Sequence, residues 1–346
     1  MNAAPPAAAS TAEQVAELLA GGRVLAAQQF LRADPCDAAT VQEVDAACEE
    51  VGTALRQLGR PGDDSAWRLA LDNELLTFHK PPAEEEPHMH GVWFSGRLPA
   101  MTQHVVALAR EFDLVQSFAG RFLFDTRVLG VESLLKLTVY SALWVPVLSD
   151  RDFAVCVRGY DCLDEHGCVV IAFNDDARFD AQLPQDRVRL RFKTSYLQLT
   201  PLPGNHTRAT LVAHGTTNDE LVISLCCRAL TPILCLPVNP RMPGEVDVPA
   251  TLINWALRIM CPFLFARASH VVASVCAHPQ CLYRPRIAAN PELYGLVAAR
   301  EGAIRASHPV VEAPAAPADA VAESTGGVFS RLAAAWRGAG EASLAA

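Results

Sequence analysis

The chain lacks the marks of a secreted or membrane-spanning protein. Its start, "MNAAPPAAASTAEQVAELLAGG", has neither the basic residues and unbroken apolar core of a secretory signal nor the Arg bias of an organelle transit peptide. A cytoplasmic location is therefore expected. A basic surplus is missing too: 29 Lys and Arg against 38 Asp and Glu leave a formal charge of -9. Phosphate contacts need a basic surface, so no nucleic-acid partner is expected. The 11 cysteines show no CxxC or paired CxxH spacing and are scattered among apolar residues. An odd, unpatterned set excludes a disulfide scaffold and fits buried thiols in a reducing compartment; no metal and no cofactor are expected. Only "LVISLCCRALTPILCLPV", 221–238, approaches a membrane span, and Arg228 and Pro232 interrupt it.

What is present is a chain of 346 residues, 51% of them hydrophobic, enough for one large domain or two small ones. Residues 1–10 and 307–327 are rich in Ala and Pro and are predicted to be disordered. Two amphipathic runs make an N-terminal helical segment over 11–62, with Gly21 and Gly22 dividing the first run and Gly59 ending the second. From Trp67 the period changes to two. Strands are predicted over about 66–80, 88–98, 121–131, 134–146, 151–161, 167–174, 187–200 and 206–215, interrupted by one helix in "PAMTQHVVALAREFDLVQSF". Short turns such as Asp164–Gly167 and Pro203–Asn205 suit consecutive antiparallel strands. The segment "VPATLINWALRIMCPFLFARASHVVASV", 248–275, reads as a helix that is apolar nearly all round and kinked near Pro262, so it must be covered on most sides. A long sheet that wraps this helix is the packing the pattern asks for, and whatever the helix leaves unfilled becomes a cavity.

Alternation assigns side chains to that space. Leu135, Leu137, Val139, Ser141, Leu143 and Val145 form the inward set of one strand, with Lys136, Thr138, Tyr140 and Trp144 opposite. Val188, Leu190 and Phe192 stand against Arg187, Arg189, Arg191 and Lys193, which read as a basic outer stripe. In "WVPVLSDRDF", Arg151 falls in phase with Phe153, Val155 and Val157, and Asp152 in phase with Ala154 and Cys156. An inward guanidinium is costly unless a carboxylate or an anionic ligand meets it, which makes Arg151 the most informative charge in the chain.

Three stretches together resemble the START lipid-transfer domains of the helix-grip superfamily: "WVPVLSDRDFAVCVRGYDCLDEHGCVVI", "HVVALAREFDL" and "VPATLINWALRIMCPFLF". The likeness covers roughly 66–276. It implies an α+β helix-grip fold, a curved antiparallel β-sheet wrapped around a long C-terminal α-helix and enclosing a hydrophobic tunnel. A lipid ligand is implied with it, a sterol, phospholipid or ceramide, taken up in transient contact with a membrane surface. In that family an interior arginine and acid pair often meets the polar end of the ligand. Arg151 matches the arginine; for its acid, Asp152 has the wrong parity unless the strand bulges, and Asp113 is the alternative. Leu137, Val139, Phe153, Val155, Phe192, Tyr196, Trp255 and Ile259 complete the expected lining, with Phe263 on the same helical side. One departure is a stretch at 216–238 with no counterpart in the family pattern, either a membrane-touching loop or a translated intron. Residues 277–306 form a C-terminal extension.

Competing readings attach to several residues. Arg151 also suits a purely structural ion pair, and Trp255, Ile259 and Phe263 plain core. His88 and His90 share a strand face, yet without a third ligand they read as an exposed edge pair. The basic stripe 187–193 reads as a solvated face before a membrane contact. Catalysis of the cyclase or hydrolase type needs convergent acid-base groups, for which Asp113, Tyr196 and His214 are the candidates; an enzyme is not expected. A protein partner would bind through the termini, where Phe329, Leu332 and Trp336 with Arg331 and Arg337 mark a short amphipathic helix over 328–337 in the 307–346 tail.

Overall fold

The computed structural model describes residues 10–62, 66–72, 75–80, 89–119, 123–143, 150–216, 262, 265–275, 278 and 280–307. Trp255, Ile259, Phe263, His88, the 217–238 part of the insertion and the tail with its 328–337 helix lie outside the described residues. So do Trp144 to Ser149 of the turn before Arg151.

The architecture is α+β. Among the described residues ten strands form one sheet in the order β1-β2-β3-β10-β9-β7-β6-β5-β4, and β8 pairs with β6 off this path. The strands are β1 (Arg68–Leu71), β2 (Leu75–Lys80), β3 (Met89–Leu98), β4 (Leu123–Ser133), β5 (Lys136–Leu143), β6 (Arg151–Cys162), β7 (Cys168–Asp175), β8 (Val188–Arg189), β9 (Ser195–Leu202) and β10 (His206–Thr216). Every pairing along the path is antiparallel; only β8 runs parallel to its neighbour.

Two strand predictions need correction. The run 66–80 is two strands, β1 and β2, paired with each other. The run 187–200 is the two-residue β8 followed by β9, and its register slips between them: Phe192 bridges Gly215, whereas Tyr196 pairs with Val212. One residue is extra on the β8–β9 side. Ser195 fills the gap, its hydroxyl accepting from the His214 amide at 3.0 Å and donating to the Lys193 carbonyl at 2.8 Å. A one-residue slip turns every later side chain to the other face.

Helices cover both faces of the sheet. On the outer face lie α1 (Thr11–Ala20), α2 (Val24–Ala33) and α3 (Ala38–Leu58). Ser10 and Glu13 form a capping box on α1, and Asp37 caps α3 by accepting from the Thr40 amide at 3.0 Å. The turn between α1 and α2 needs glycine at position 22: its φ is +71°, and a Cβ there would stand 2.5 Å from Leu135. Val51, Ala54 and Leu58 of α3 pack on Phe78, Trp93 and Val212.

On the inner face lie α4 (Thr102–Arg110), the short helices α5 (Gln116–Ala119) and α6 (Leu163–His166), the helical segment 265–275, α7 (Tyr283–Ala289) and α8 (Pro291–Ser307). Val105 and Leu108 of α4, Val272 and Val275, and Tyr294 and Val297 of α8 pack on Leu98, Val169 and Leu199. Met101 offers α4 no side-chain cap. The fully buried Glu301 of α8 does so instead, accepting from the Thr102 amide at 3.1 and 3.0 Å. The described part of the extension, 280–306, is thus built into the inner layer, its α8 helix capping α4.

Candidate functional site

Register defines which residues share the inner face with the 265–275 helix. Phe265 packs on Phe94 with ring centroids 6.5 Å apart, and its ring lies over Gly96, where an added Cβ would sit 2.4 Å from a ring carbon. Only glycine at 96 lets the ring approach so closely. From this contact the pairing carries the inner face outward: Leu75 opposite Gly96, Thr77 opposite Phe94 and His79 opposite Val92 on β2 and β3; Gly91 and Trp93 face away.

Among the described residues, the same face is fully covered at one end and less covered at the other. Under α4 and α8, Leu98, Leu199 and Ile171 are buried. Beyond that cover, Val92, Phe94, Leu211, Leu197, Phe173 and Phe153 are each only half-buried. A run of aromatics floors this part. Phe112 meets Phe153 at 6.4 Å, Phe153 meets Phe192 at 5.6 Å and Phe192 meets Phe173 at 6.3 Å, all edge to face.

Polar side chains bound the floor on two sides. Arg151 opens β6 opposite Leu143, in phase with Phe153 and Val155, and none of its surface is exposed. The β5–β6 register runs unbroken from Lys136/Arg158 to Leu143/Arg151, so no bulge brings Asp152 to its side. Asp152, also fully buried, accepts from Tyr140 Oη at 3.1 Å and from Arg189 Nε at 2.6 Å on the outer face. At the other side, His79 and His90 stack with 3.1 Å between Nε2 and Nδ1. Thr77, one step along β2, is fully buried.

The expected lining divides accordingly. Leu137, Val139 and Val155 lie on the inner face but pack together as closed core, while Phe153 and Phe192 are partly accessible. Tyr196 is a correction: the slip at Ser195 puts it on the outer face, buried with Trp93 under α3, where burial raises its hydroxyl pKa. His214 is likewise outer, edge-on to Trp67 at 6.0 Å, and burial next to Lys80 and Lys193 lowers its pKa. Asp113 sits 35% exposed after α4 and pairs with Arg286 of α7 at 2.7 Å, so Asp113, Tyr196 and His214 do not converge.

His90 is another correction, since it is buried and its neighbour is His79 of the adjacent strand rather than an exposed edge pair. No group of three or more His, Cys, Asp or Glu suited to a metal occurs among the described residues. The basic stripe is corrected as well: Arg187 pairs with Asp125 at 2.9 Å, Arg189 with Asp152 and with Asp180 at 2.7 Å, and Arg191 with Asp175 at 2.7 Å. Its arginines are paired with aspartates, and Arg191 keeps 41% of its side chain exposed. Thr77 and His79 were not singled out in the sequence; their place opposite Phe94 and Val92 emerges once β1 and β2 are separated.

A long antiparallel sheet carries a C-terminal helix seated across its inner face. This is a helix-grip fold. No protein-family model matches the chain, and no curated protein matches it. Among solved structures, the helix-grip chain is similar to human StAR-related lipid transfer protein 5, with 13% identity and a TM-score of 0.48 over 66% of this chain and 96% of that one. It is also similar to human STARD10, with 10% identity and a TM-score of 0.45 over 64% and 87% of the two chains. The lipid transfer and protein localization domain of human StarD13 gives 14% identity and a TM-score of 0.43 over 64% and 94%. No described helix is long and apolar enough to cross a membrane.

Proposed function

We propose that the protein binds one lipid between the inner face of the sheet and the helix that closes it, for transfer or sensing, and catalyses no reaction. The observation that carries this reading is the half-buried aromatic and aliphatic floor of Phe94, Leu197, Leu211, Phe173 and Phe153, next to the fully buried Arg151. Large apolar side chains left half-covered on an inward face offer surface to an apolar ligand. Each methylene taken from water there contributes about 0.8 kcal/mol. Arg151 supplies the charge that would orient a polar head at one side. The separation of Asp113, Tyr196 and His214 supports binding over acid-base chemistry. A sterol, phospholipid or ceramide fits the floor's chemistry, and its uptake would bring the protein into transient contact with a membrane in the cytosol.

A vesicle transfer assay tests this. Donor vesicles carry a fluorescent sterol, phosphatidylcholine or ceramide, and acceptor vesicles a quencher. Saturable acceleration of one class is expected; spontaneous rates for all three would overturn the reading.

A further inference from the structure

The second polar cluster on the inner face is chemically unlike the first. Thr77, His79 and His90 belong to adjacent strands, and the register places all three on the face that Phe265 covers. Thr77 and His79 are fully buried and His90 is 9% exposed. The two imidazoles share one hydrogen bond. The cluster also adjoins the aromatic floor: His90 pairs with Gly215, over which the Phe192 ring lies 3.4 Å from the position of an added Cβ.

The Thr77 hydroxyl has no hydrogen-bond partner among the described residues. Burying a hydroxyl without a partner costs its full desolvation, and valine would fill the same volume without that cost. A threonine here makes physical sense when something outside the protein completes its hydrogen bond. Charge says what kind of group that is. Lys80 points to the other face of β2, and no Asp, Glu, Lys or Arg among the described residues of β2, β3 and β10 faces inward beside the cluster. Among the described residues of these strands a charged headgroup would meet no carboxylate, lysine or arginine, whereas a hydroxyl can both donate and accept.

We infer that Thr77, His79 and His90 form a binding site for the uncharged hydroxyl of a neutral lipid, with its apolar body along Phe94 and the aromatic floor. The inference rests on the lipid-binding reading and deepens it by naming the ligand class: a hydroxyl-bearing lipid without a charged head.

The test uses the full chain, phosphatidylcholine vesicles doped with dioleoylglycerol, and the same vesicles doped with the O-methyl ether of dioleoylglycerol. Bound lipid is counted by native mass spectrometry. The unaltered protein is expected to prefer the free hydroxyl. Thr77→Val should weaken dioleoylglycerol binding by about fivefold, the worth of one neutral hydrogen bond. It should leave ether binding unchanged and so shrink the preference by the same factor, and Thr77→Ser should restore it. Thermal melting of each variant verifies folding. Equal hydroxyl and ether binding by the unaltered protein, or a Thr77→Val protein that melts normally and keeps the preference, overturns the inference while lipid binding stands. Uptake of no lipid of any class overturns both.

Discussion

Gly96 offers a direct way to perturb the closure of the site. A methyl at this position would lie 2.4, 2.8 and 2.9 Å from three ring carbons of Phe265. Unbonded carbons rest at about 3.5–4.0 Å, so Gly96→Ala must displace the ring by about 1 Å or more. The backbone of β3 is paired on both sides, with β2 and β10, and cannot retreat. The 265–275 helix therefore has to yield, through rotation of Phe265 or lifting of the segment. Overpacking of this kind costs about 1–3 kcal/mol. For a chain of this size the melting temperature should fall by about 2–5 °C. The second readout is hydrogen exchange, which should accelerate in 265–275 and stay unchanged in α3 on the opposite face. Phe265→Leu in the same molecule should recover part of the loss, the sign of a direct coupling. Unchanged melting in Gly96→Ala, with the helix amides as protected as before, would refute the seating of Phe265 on Gly96 and the assignment of the inner face derived from it.

Three further predictions follow from named contacts. Arg151→Leu should weaken uptake of lipids with anionic heads and spare neutral ones; equal affinity for a phosphatidylserine vesicle in a folded variant would remove Arg151 from the ligand. Asp152→Ala removes the buried carboxylate that accepts from Arg189 and Tyr140 and leaves Arg189 with Asp180 as its remaining partner, so it should cost about 1.5–3 kcal/mol in urea unfolding. A loss below 1 kcal/mol would show that the pair carries little. Arg178 and the Thr138 hydroxyl hold the Asp176 carboxyl at about 2, below its ordinary 3.8, against the opposing effect of burial. A depressed carboxylate stabilises the fold above its unfolded value, and that stability is lost as pH falls from about 4 through 2. The full shift corresponds to about 2 kcal/mol, and less is expected because Arg178 is 58% exposed. Asp176→Asn should flatten that part of the acid limb, and an identical slope between pH 5 and 2 would contradict the linkage.

How far the sequence could be read depended on how unlike the two faces of a strand are. On β5 and β6 the difference is sharp: Leu137 and Val139 on one side, Lys136 and Thr138 on the other, with Arg151 in phase with Phe153. The parity read there matches the register, down to Asp152 pointing away from Arg151. On β9 and β10 alternation misled, because α3 covers the outer face and makes it apolar too. Tyr196 was expected in the lining, and the extra residue taken up at Ser195 turns it to the outer face. No rule of alternation reveals a one-residue slip of this kind. The alternation of arginines from 187 to 191 imitates a long strand for a different reason. These side chains project to one side to meet Asp125, Asp152, Asp175 and Asp180, and only two residues pair as strand. The Glu301 cap on α4 spans 199 positions and left no local signal.

The central claim is that a lipid occupies the space between the aromatic floor and the closing helix. Native mass spectrometry of the purified chain, followed by organic extraction, tests it most directly. The account predicts one discrete added mass per chain that extracts as a single lipid class, or that appears after incubation with vesicles of sterol, phospholipid, ceramide or diacylglycerol. A chain that stays at its own mass after all four incubations would contradict it.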